Sequence, residues 1–320
     1  MTQLSRQASD HPKAPHVCIL LALYNGAAHL QDQLDSFARQ SHANWSLYVS
    51  DDGSTDDGPA IVEQFCKDHP NRKIVLLNGP QKGFVANFLF LLKSAPQSAT
   101  YVAFSDQDDV WFDGKLARAT DALSSARPDQ PALYCARTVI CNRHLTPFGL
   151  SAPITVSGSF KNALVQSIAG GNTMVLNAAA LTLAKQLMPR HNHIVSHDWW
   201  LYQVLSGCDG LIVKDNDPVL YYRQHDNNLI GSNRSFFAKI RRIQALLVGQ
   251  YRRWNRINLA TLTSQHSHLN PEAQTVLQQF VAARAGSLRT RLANLHKSGV
   301  HRQSRTGTAA LYLACMLNRL

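Results

Sequence analysis

Three carboxylates close a short apolar run: Tyr101 to Phe104 suits a buried strand, and Asp106, Asp108 and Asp109 follow at once. A buried core rejects unpaired carboxylates, so these acids mark where the strand leaves the core. In an extended segment residues two apart face the same way, so Asp106 and Asp108 present two hard oxygen ligands to one point. Such a pair suits Mg²⁺ or Mn²⁺, which take one or two carboxylates and complete the shell with phosphate oxygens. Asp-x-Asp is also ordinary turn chemistry, so the pair carries weight only through its neighbours.

The elements that would position these acids read as strands alternating with helices. Val17 to Leu23 is an unbroken apolar run, as in a strand covered on both faces, and it ends at Tyr24-Asn25-Gly26. A helix follows with Leu30, Leu34 and Phe37 on one face. Trp45 to Val49 reads as a second strand closing in Ser50-Asp51-Asp52-Gly53-Ser54-Thr55-Asp56, with Ile61 to Phe65 as the helix behind it. Ile74 to Leu77 is a third strand, residues 84 to 93 a helix, and Tyr101 to Phe104 the fourth strand. This order predicts an α/β fold with a mostly parallel sheet flanked by helices, whose ligands gather at the carboxyl ends of the strands. Tyr24-Asn25, Asp51-Asp52, Lys82-Gly83 and Asp106 to Asp109 all fall on that edge. No Gly-x-Gly-x-x-Gly follows the first strand and no Walker loop occurs, which argues against a dinucleotide fold and a P-loop enzyme.

The series Ala-Leu-Tyr-Asn, Asp-Asp-Gly-Ser-Thr-Asp, Lys-Gly-Phe-x-x-Asn and Ser-Asp-Gln-Asp-Asp-Val-Trp resembles glycosyltransferase family 2, with its Rossmann-like GT-A fold. The Asp-Gln-Asp-Asp-Val-Trp form is similar to bacterial rhamnosyltransferases of O-antigen and other surface polysaccharides. The resemblance covers roughly residues 15 to 230. It implies a metal-dependent inverting transfer of one sugar, L-rhamnose from dTDP-L-rhamnose, to a glycan or lipid-linked glycan. It also implies site roles. Tyr24 would stack on the base of a dTDP- or UDP-sugar and Asp52 would accept its imino N–H, with Asp51 and Asn25 in support. Asp106 would hold the ribose and Asp108 the metal, with Lys82 and Gln107 also lining the nucleotide sugar. Where the family often has Thr this chain has Ala22, so a contact there would come from backbone.

Gly170-Gly171-Asn172 permits close backbone approach to a ligand and borders the acceptor in relatives, though turn chemistry explains it equally. An Ala/Leu-rich helix then stops by Met188, ahead of Pro189. In Ser196-His197-Asp198-Trp199-Trp200, Asp198 is either a helix cap or the general base that takes the acceptor hydroxyl's proton. His197 stands where relatives often carry Glu and is the less favoured base. Trp199 and Trp200 fit an acceptor sugar platform, or one of them belongs to the core. His225 matches the histidine that often completes the metal site, and Arg223 is a bidentate donor for the diphosphate. The Gln-x-x-Arg-Trp motif of processive synthases is missing, which implies one sugar per encounter.

Charge divides the chain. From Gly231 onward 14 Lys and Arg face one acid, Glu272, while the remainder carries 18 basic and 20 acidic residues. A pI of about 9.6 invites a nucleic-acid reading, but no helix-turn-helix, zinc-finger or RNA-recognition signature supports it. The expected organisation is a disordered tail at 1–14, a catalytic domain at 15–230 and a basic helical region, an appendage, at 231–320. Between Ser235 and Ile257, Phe236, Ile240, Ile243, Leu247, Tyr251 and Trp254 fall within about 80° of arc, with Arg241, Arg242, Arg252, Arg253 and Arg256 opposite. Such a helix either lies on the anionic cytoplasmic face of the inner membrane or packs on the domain or a second subunit in a homo-oligomer. No run of about 18 apolar residues and no signal-peptide pattern occurs, so a cytoplasmic protein is expected. Six scattered cysteines read as reduced structural thiols. A non-catalytic sugar-nucleotide or glycan-binding protein and a nucleotidyltransferase are the competing functions; the latter would want a Gly-rich loop after the first strand.

Overall fold

The structure, a computed structural model, describes residues 14–224 and 250–320. The expected N-terminal tail, His225 and the first half of the basic helix lie outside the described residues, apart from Ala14. The opening strand β1 (Val17–Leu23) is the axis of the sheet, flanked by β2 (Trp45–Asp51) and β4 (Tyr101–Ser105), with β3 (Ile74–Asn78) beyond β2. All three pairings are parallel, with Leu23 opposite Asp51 and Leu21 opposite Ser105. Helices α1 (Ala27–Ala38), α2 (Gly58–Asp68) and α3 (Phe84–Ser94) make the crossovers.

Beyond β4 the sheet becomes mixed. Strand β8 (Val175–Asn177) runs antiparallel to β4 and to β6 (Ala132–Cys141), which restores β6 to the direction of β4. Strand β9 (Leu211–Arg223) pairs parallel with β6, and the two-residue β5 (Val110–Trp111) caps it antiparallel. The short β7 (Pro147–Leu150) folds back on β6 as a hairpin. The carboxyl ends of β1, β2, β3, β4, β6 and β9 therefore share one rim. Residues 211–213 and 218–220, two strands by their spacing, are one strand whose register slips from Ala136–Asp215 to Arg137–Pro218. Pro218 has no amide to donate, and a bulge absorbs Asn216 and Asp217 rather than ending the strand.

The unbroken apolar run of β1 is explained by its two covered faces. Val17, Ile19, Leu21 and Leu23 join one core with Phe37, Val62 and Phe65, along with Leu116 and Leu123 of α4 (Lys115–Leu123). Cys18 and Leu20 face the other core, formed with α3, α5 (Phe160–Ala163), α6 (Ala178–Gln186) and α7 (His197–Gly207). That second core does not stop at the catalytic layers. Leu259 and Leu262 of α8 (Gln250–Ser264), Val276 and Phe280 of α9 (Pro271–Ala282), Leu295 of α10 (Leu288–Ser298) and Leu311 of α11 (Arg305–Met316) belong to it. Side chains of Asn270, Ser287 and Ser304 cap α9, α10 and α11 by accepting the amides of Ala273, Thr290 and Gly307. The apolar side of α8 faces inward: Tyr251 donates its hydroxyl to the Val165 carbonyl at 2.6 Å, and Trp254 meets Trp199 edge-on at 6.4 Å between centroids. In the described half of the basic helix the apolar stripe packs on the domain. No helix among the described residues is long and apolar enough to cross a membrane.

A shared core makes the C-terminal helices part of the folding unit. Phe280→Ala is expected to cost about 3–5 kcal/mol and to leave one cooperative denaturant transition by fluorescence and circular dichroism. Two separated transitions would show an independent C-terminal unit.

Candidate active site

Three loops at the rim are stitched together by side chains borrowed from one another. Asn25 takes a left-handed backbone (φ 48°), and its amide donates to Ser54 Oγ while its Oδ1 accepts from the Thr55 amide at 2.8 Å. Gly26 offers α1 no side-chain cap, and Asp56 from the neighbouring loop accepts the Ala27 amide instead. Asp51 closes its own turn by accepting from the amide and hydroxyl of Ser54. The buried Asp52 carboxylate receives the amides of Gln81 and Gly83, one on each oxygen, both at 2.7 Å. Below them Asn87 donates to the carbonyl of Ser50 at 2.8 Å, tying α3 to the end of β2. Lys82 stays exposed between the two amides that hold Asp52.

Gln107 joins the first of these loops to the acidic one. Its side-chain amide accepts from the Tyr24 N–H at 2.7 Å and donates to the Tyr24 carbonyl at 3.0 Å, continuing the β1–β4 ladder with a side chain. A Cβ on Gly26 would lie 2.4 Å from the Gln107 amide carbon, so a side chain there would push that amide away from Tyr24. The Tyr24 ring itself is 57% exposed.

The other side of the acidic loop is held by Arg223. This buried guanidinium donates from Nε to the Asp108 carbonyl at 2.9 Å, from one terminal nitrogen to the Arg143 carbonyl, and from the other to Asp32 of α1 at 2.8 Å. It ties β9, the β6–β7 hairpin and α1 to the backbone between the acids. Arg223 is therefore a scaffold clamp, which corrects the expectation of a diphosphate ligand.

Asp109 is fully buried. Its Oδ2 accepts from Asn172 Nδ2 at 2.6 Å, and the buried Lys115 ammonium donates to the Asn172 carbonyl and sits 3.1 Å from the Trp111 ring centroid. Burial, then the charges of Asp108 and Asp106, push the Asp109 carboxyl well up. Burial pushes Lys115 well down, opposed by Asp109 and Asp106. The pair holds residues 170–173 under the acidic loop. Next along, Gly171 packs so closely on α7 that an added Cβ would lie 2.3 Å from His197 Nε2. Asp198, in the first turn of α7, thus arrives beside the acids, with Oδ1 accepting its neighbour Trp199's amide. Half-buried Asp106 is pushed up to about 7 by burial and by the charges of Asp108 and Asp198. Burial, then the charges of Asp106, Asp109 and Asp108, push the Tyr222 phenol up.

Negative charge crowded at a rim is what a divalent cation with phosphate ligands would neutralise, and hard oxygens are its preferred donors. Among the described residues no group of three His, Cys, Asp or Glu could hold an ion unaided. The set fits a cation that shares its shell with phosphate.

The tryptophan platform is overturned, and the less favoured base is ruled out. Trp200 is wholly in the core, and Trp199 is buried with its indole N–H on the Ala163 carbonyl at 2.6 Å, so neither ring offers a face to a sugar. His197 stacks on Phe88 at 3.9 Å between centroids, and burial lowers its pKa to about 4, so it is a core ring rather than a base. Ala22 is half-buried against the core, Gly170 is exposed, and Gly171 is buried under His197. Asn87, Lys115 and Asn172 had no assigned part in the site. Only the Lys-Gly-Phe-x-x-Asn spacing pointed at Asn87 and only the Gly-Gly-Asn turn at Asn172, and nothing local marks Lys115.

Comparison with known proteins places this arrangement. The profile of glycosyl transferase family 2 matches residues 18–179. The chain is 29% identical over 241 residues to the dTDP-rhamnosyl transferase RfbG of Shigella flexneri, covering 73% of this chain and 81% of that protein. It is 34% identical over 100 residues to the Escherichia coli UDP-Glc:alpha-D-GlcNAc-diphosphoundecaprenol beta-1,3-glucosyltransferase WfgD, covering 31% of this chain and 38% of that one. Among solved structures, S. aureus TarS 1-349 in complex with UDP-GlcNAc superposes with a TM-score of 0.55 at 16% identity over 94% of this chain and 90% of the other. The mannosyltransferase PcManGT from Pyrobaculum calidifontis, in complex with GDP-Man and Mn2+, gives 0.53 at 18% identity over 96% and 88%. The GT-A architecture is thus the fold of this chain.

His197 supplies a pH test. In the unfolded chain it takes a proton near 6.5 and in the native chain only near 4, so the unfolded state binds more protons in between and stability falls as pH drops through that window. The buried carboxyls Asp106 and Asp109 act oppositely, so the difference between parent and variant is the readout. His197→Leu is expected to lose a pH-dependent contribution of about 3 kcal/mol between pH 7 and 4, measured by urea denaturation. Parallel pH profiles would refute a buried neutral imidazole.

Proposed function

The chain belongs to glycosyl transferase family 2, and from that premise we propose that it moves single L-rhamnosyl units from dTDP-L-rhamnose, with inversion, to a lipid-linked glycan of a surface polysaccharide. The placement of Asp198 in the first turn of α7, near enough to Asp106 for its charge to push that carboxyl up, carries this reading, because it brings a proton acceptor to the acids suited to a nucleotide diphosphate and its cation. The length of the match to the dTDP-rhamnosyl transferase supports the donor assignment.

In this mechanism the exposed Tyr24 ring stacks on the base. Asp52 keeps lone pairs beyond the two amides it accepts, enough to take the base imino N–H. Asp106 accepts from the ribose. Asp108, together with His225 outside the described residues, would hold Mg²⁺ or Mn²⁺, which would offset charge on the diphosphate. Lys82 replaces Arg223 as the cation for the phosphates. Asp198 takes the proton of the acceptor hydroxyl as its oxygen bonds to the anomeric carbon, while the bond from that carbon to the diphosphate oxygen breaks on the opposite face. The exposed Gly170 backbone borders the acceptor, while Gly171, buried under His197, sets α7 and Asp198 beside it. Gln107, through the Tyr24 backbone, fixes the base platform relative to the metal corner.

Asp198→Asn is expected to bind donor within about threefold of the parent and to lower kcat by about 10²–10⁴-fold; undiminished turnover in a radiolabelled sugar-transfer assay would place the base elsewhere. Asp108→Ala is expected to lose Mn²⁺ binding in the presence of dTDP, read by calorimetry. Full parent activity in excess EDTA would defeat the metal assignment.

A further inference from the structure

Large apolar side chains exposed among the described residues fall into two groups. Tyr24, Phe84 and Phe148 are aromatics of the rim loops and hairpin; Val281, Leu288, Leu313, Met316 and Leu317, each 43 to 50% exposed, belong to the C-terminal helices. The second group is gathered by specific contacts. Leu313, Met316 and Leu317, three and four residues apart, share one face at the end of α11. Arg291 donates to the Met316 carbonyl, which sets the first turn of α10, with Leu288, against that end. Arg284 donates to the Leu320 carbonyl and Cys315 Sγ to the Ala283 carbonyl, which brings in the end of α9 with Val281.

The surroundings are cationic. Residues 250–320 carry ten Lys and Arg and one acid, Glu272, which is paired with Lys161 at 2.7 Å. Exposed Arg289 and Arg319 flank the aliphatic group, and Arg284 also donates to the Arg252 carbonyl at the start of α8.

We propose that this face docks on an anionic lipid bilayer, its aliphatics entering the acyl boundary while the arginines reach headgroup phosphates. A second copy of the chain is the poorer occupant, since a two-fold contact would set the cationic patch against itself. Single-stranded nucleic acid is read by stacking aromatics, and this group has none. The proposal extends the lipid-linked acceptor reading by naming the surface that would bring the rim to such an acceptor, and its test uses no sugar, so either can fail alone.

The test is flotation of the full chain with vesicles of phosphatidylcholine alone or mixed with phosphatidylglycerol. Binding is expected to the mixed vesicles and to be lost in about 1 M NaCl, where the Debye length is about 3 Å. Leu313→Ser/Met316→Ser/Leu317→Ser is expected to lower partitioning by about tenfold or more. Arg289→Gln/Arg319→Gln is expected to do so by about tenfold or more on the mixed vesicles only. Both variants alter exposed side chains, and circular dichroism with a parent-like thermal transition verifies their folding. Failure of the parent to float, equal binding to both vesicle types, or variants that float like the parent would overturn the proposal. So would a concentration-dependent dimer in light scattering that the triple variant abolishes, which would assign the face to a second copy.

Discussion

Asp106, Asp108 and Asp109 lie within four residues at the end of β4, and crowding their charges away from water raises the free energy of the loop that carries them. Burial and mutual repulsion both push Asp106 and Asp109 toward the protonated form. The loop holds its shape because it is gripped from three sides: Arg223 on its backbone, Asn172 and Lys115 beneath it, and Gln107 bridging to Tyr24. Each grip comes from a different part of the chain. The mixed half of the sheet exists at the site largely to deliver them, since β9 supplies Arg223 and the turn into β8 supplies Asn172.

β1 and β4 were legible because each is an apolar run wrapped on both faces, and burial alone imposes that pattern. β2 and the half-buried edge strand β3 were legible as short apolar segments closed by turn signals. The rim followed from their direction. β5 was not legible, being two residues long, nor was the mixed pairing beyond β4, because antiparallel and parallel strands of this length share one composition. Within the site, the acids stood out by type, but what holds them did not. An Arg beside a diphosphate and an Arg clamping backbone carbonyls look alike until β9 is placed next to β5. Trp199 and Trp200 misled for a related reason: the start of α7 is enclosed nearly all round, so adjacent rings on different faces are both core. Sequence shows that a tryptophan opens a helix and not how many neighbours cover it.

The basic helix shows the opposite case. Its stripe of Tyr251 and Trp254 was legible as amphipathic, and periodicity cannot say whether such a stripe meets protein or lipid. In the described half it meets protein, and the C-terminal region shares a core with α3, α5, α6 and α7. The apolar residues left facing solvent are on later helices whose N-caps and short lengths carry no sign of it.

The contact between Gln107 and the Tyr24 backbone occupies the volume where a side chain at position 26 would stand. The middle residue of this Asp-x-Asp stretch is tied through its side chain to the backbone of the loop after β1. The two positions are coupled: a side chain at 26 would displace the glutamine amide, and with it loosen the alignment of base platform and acids.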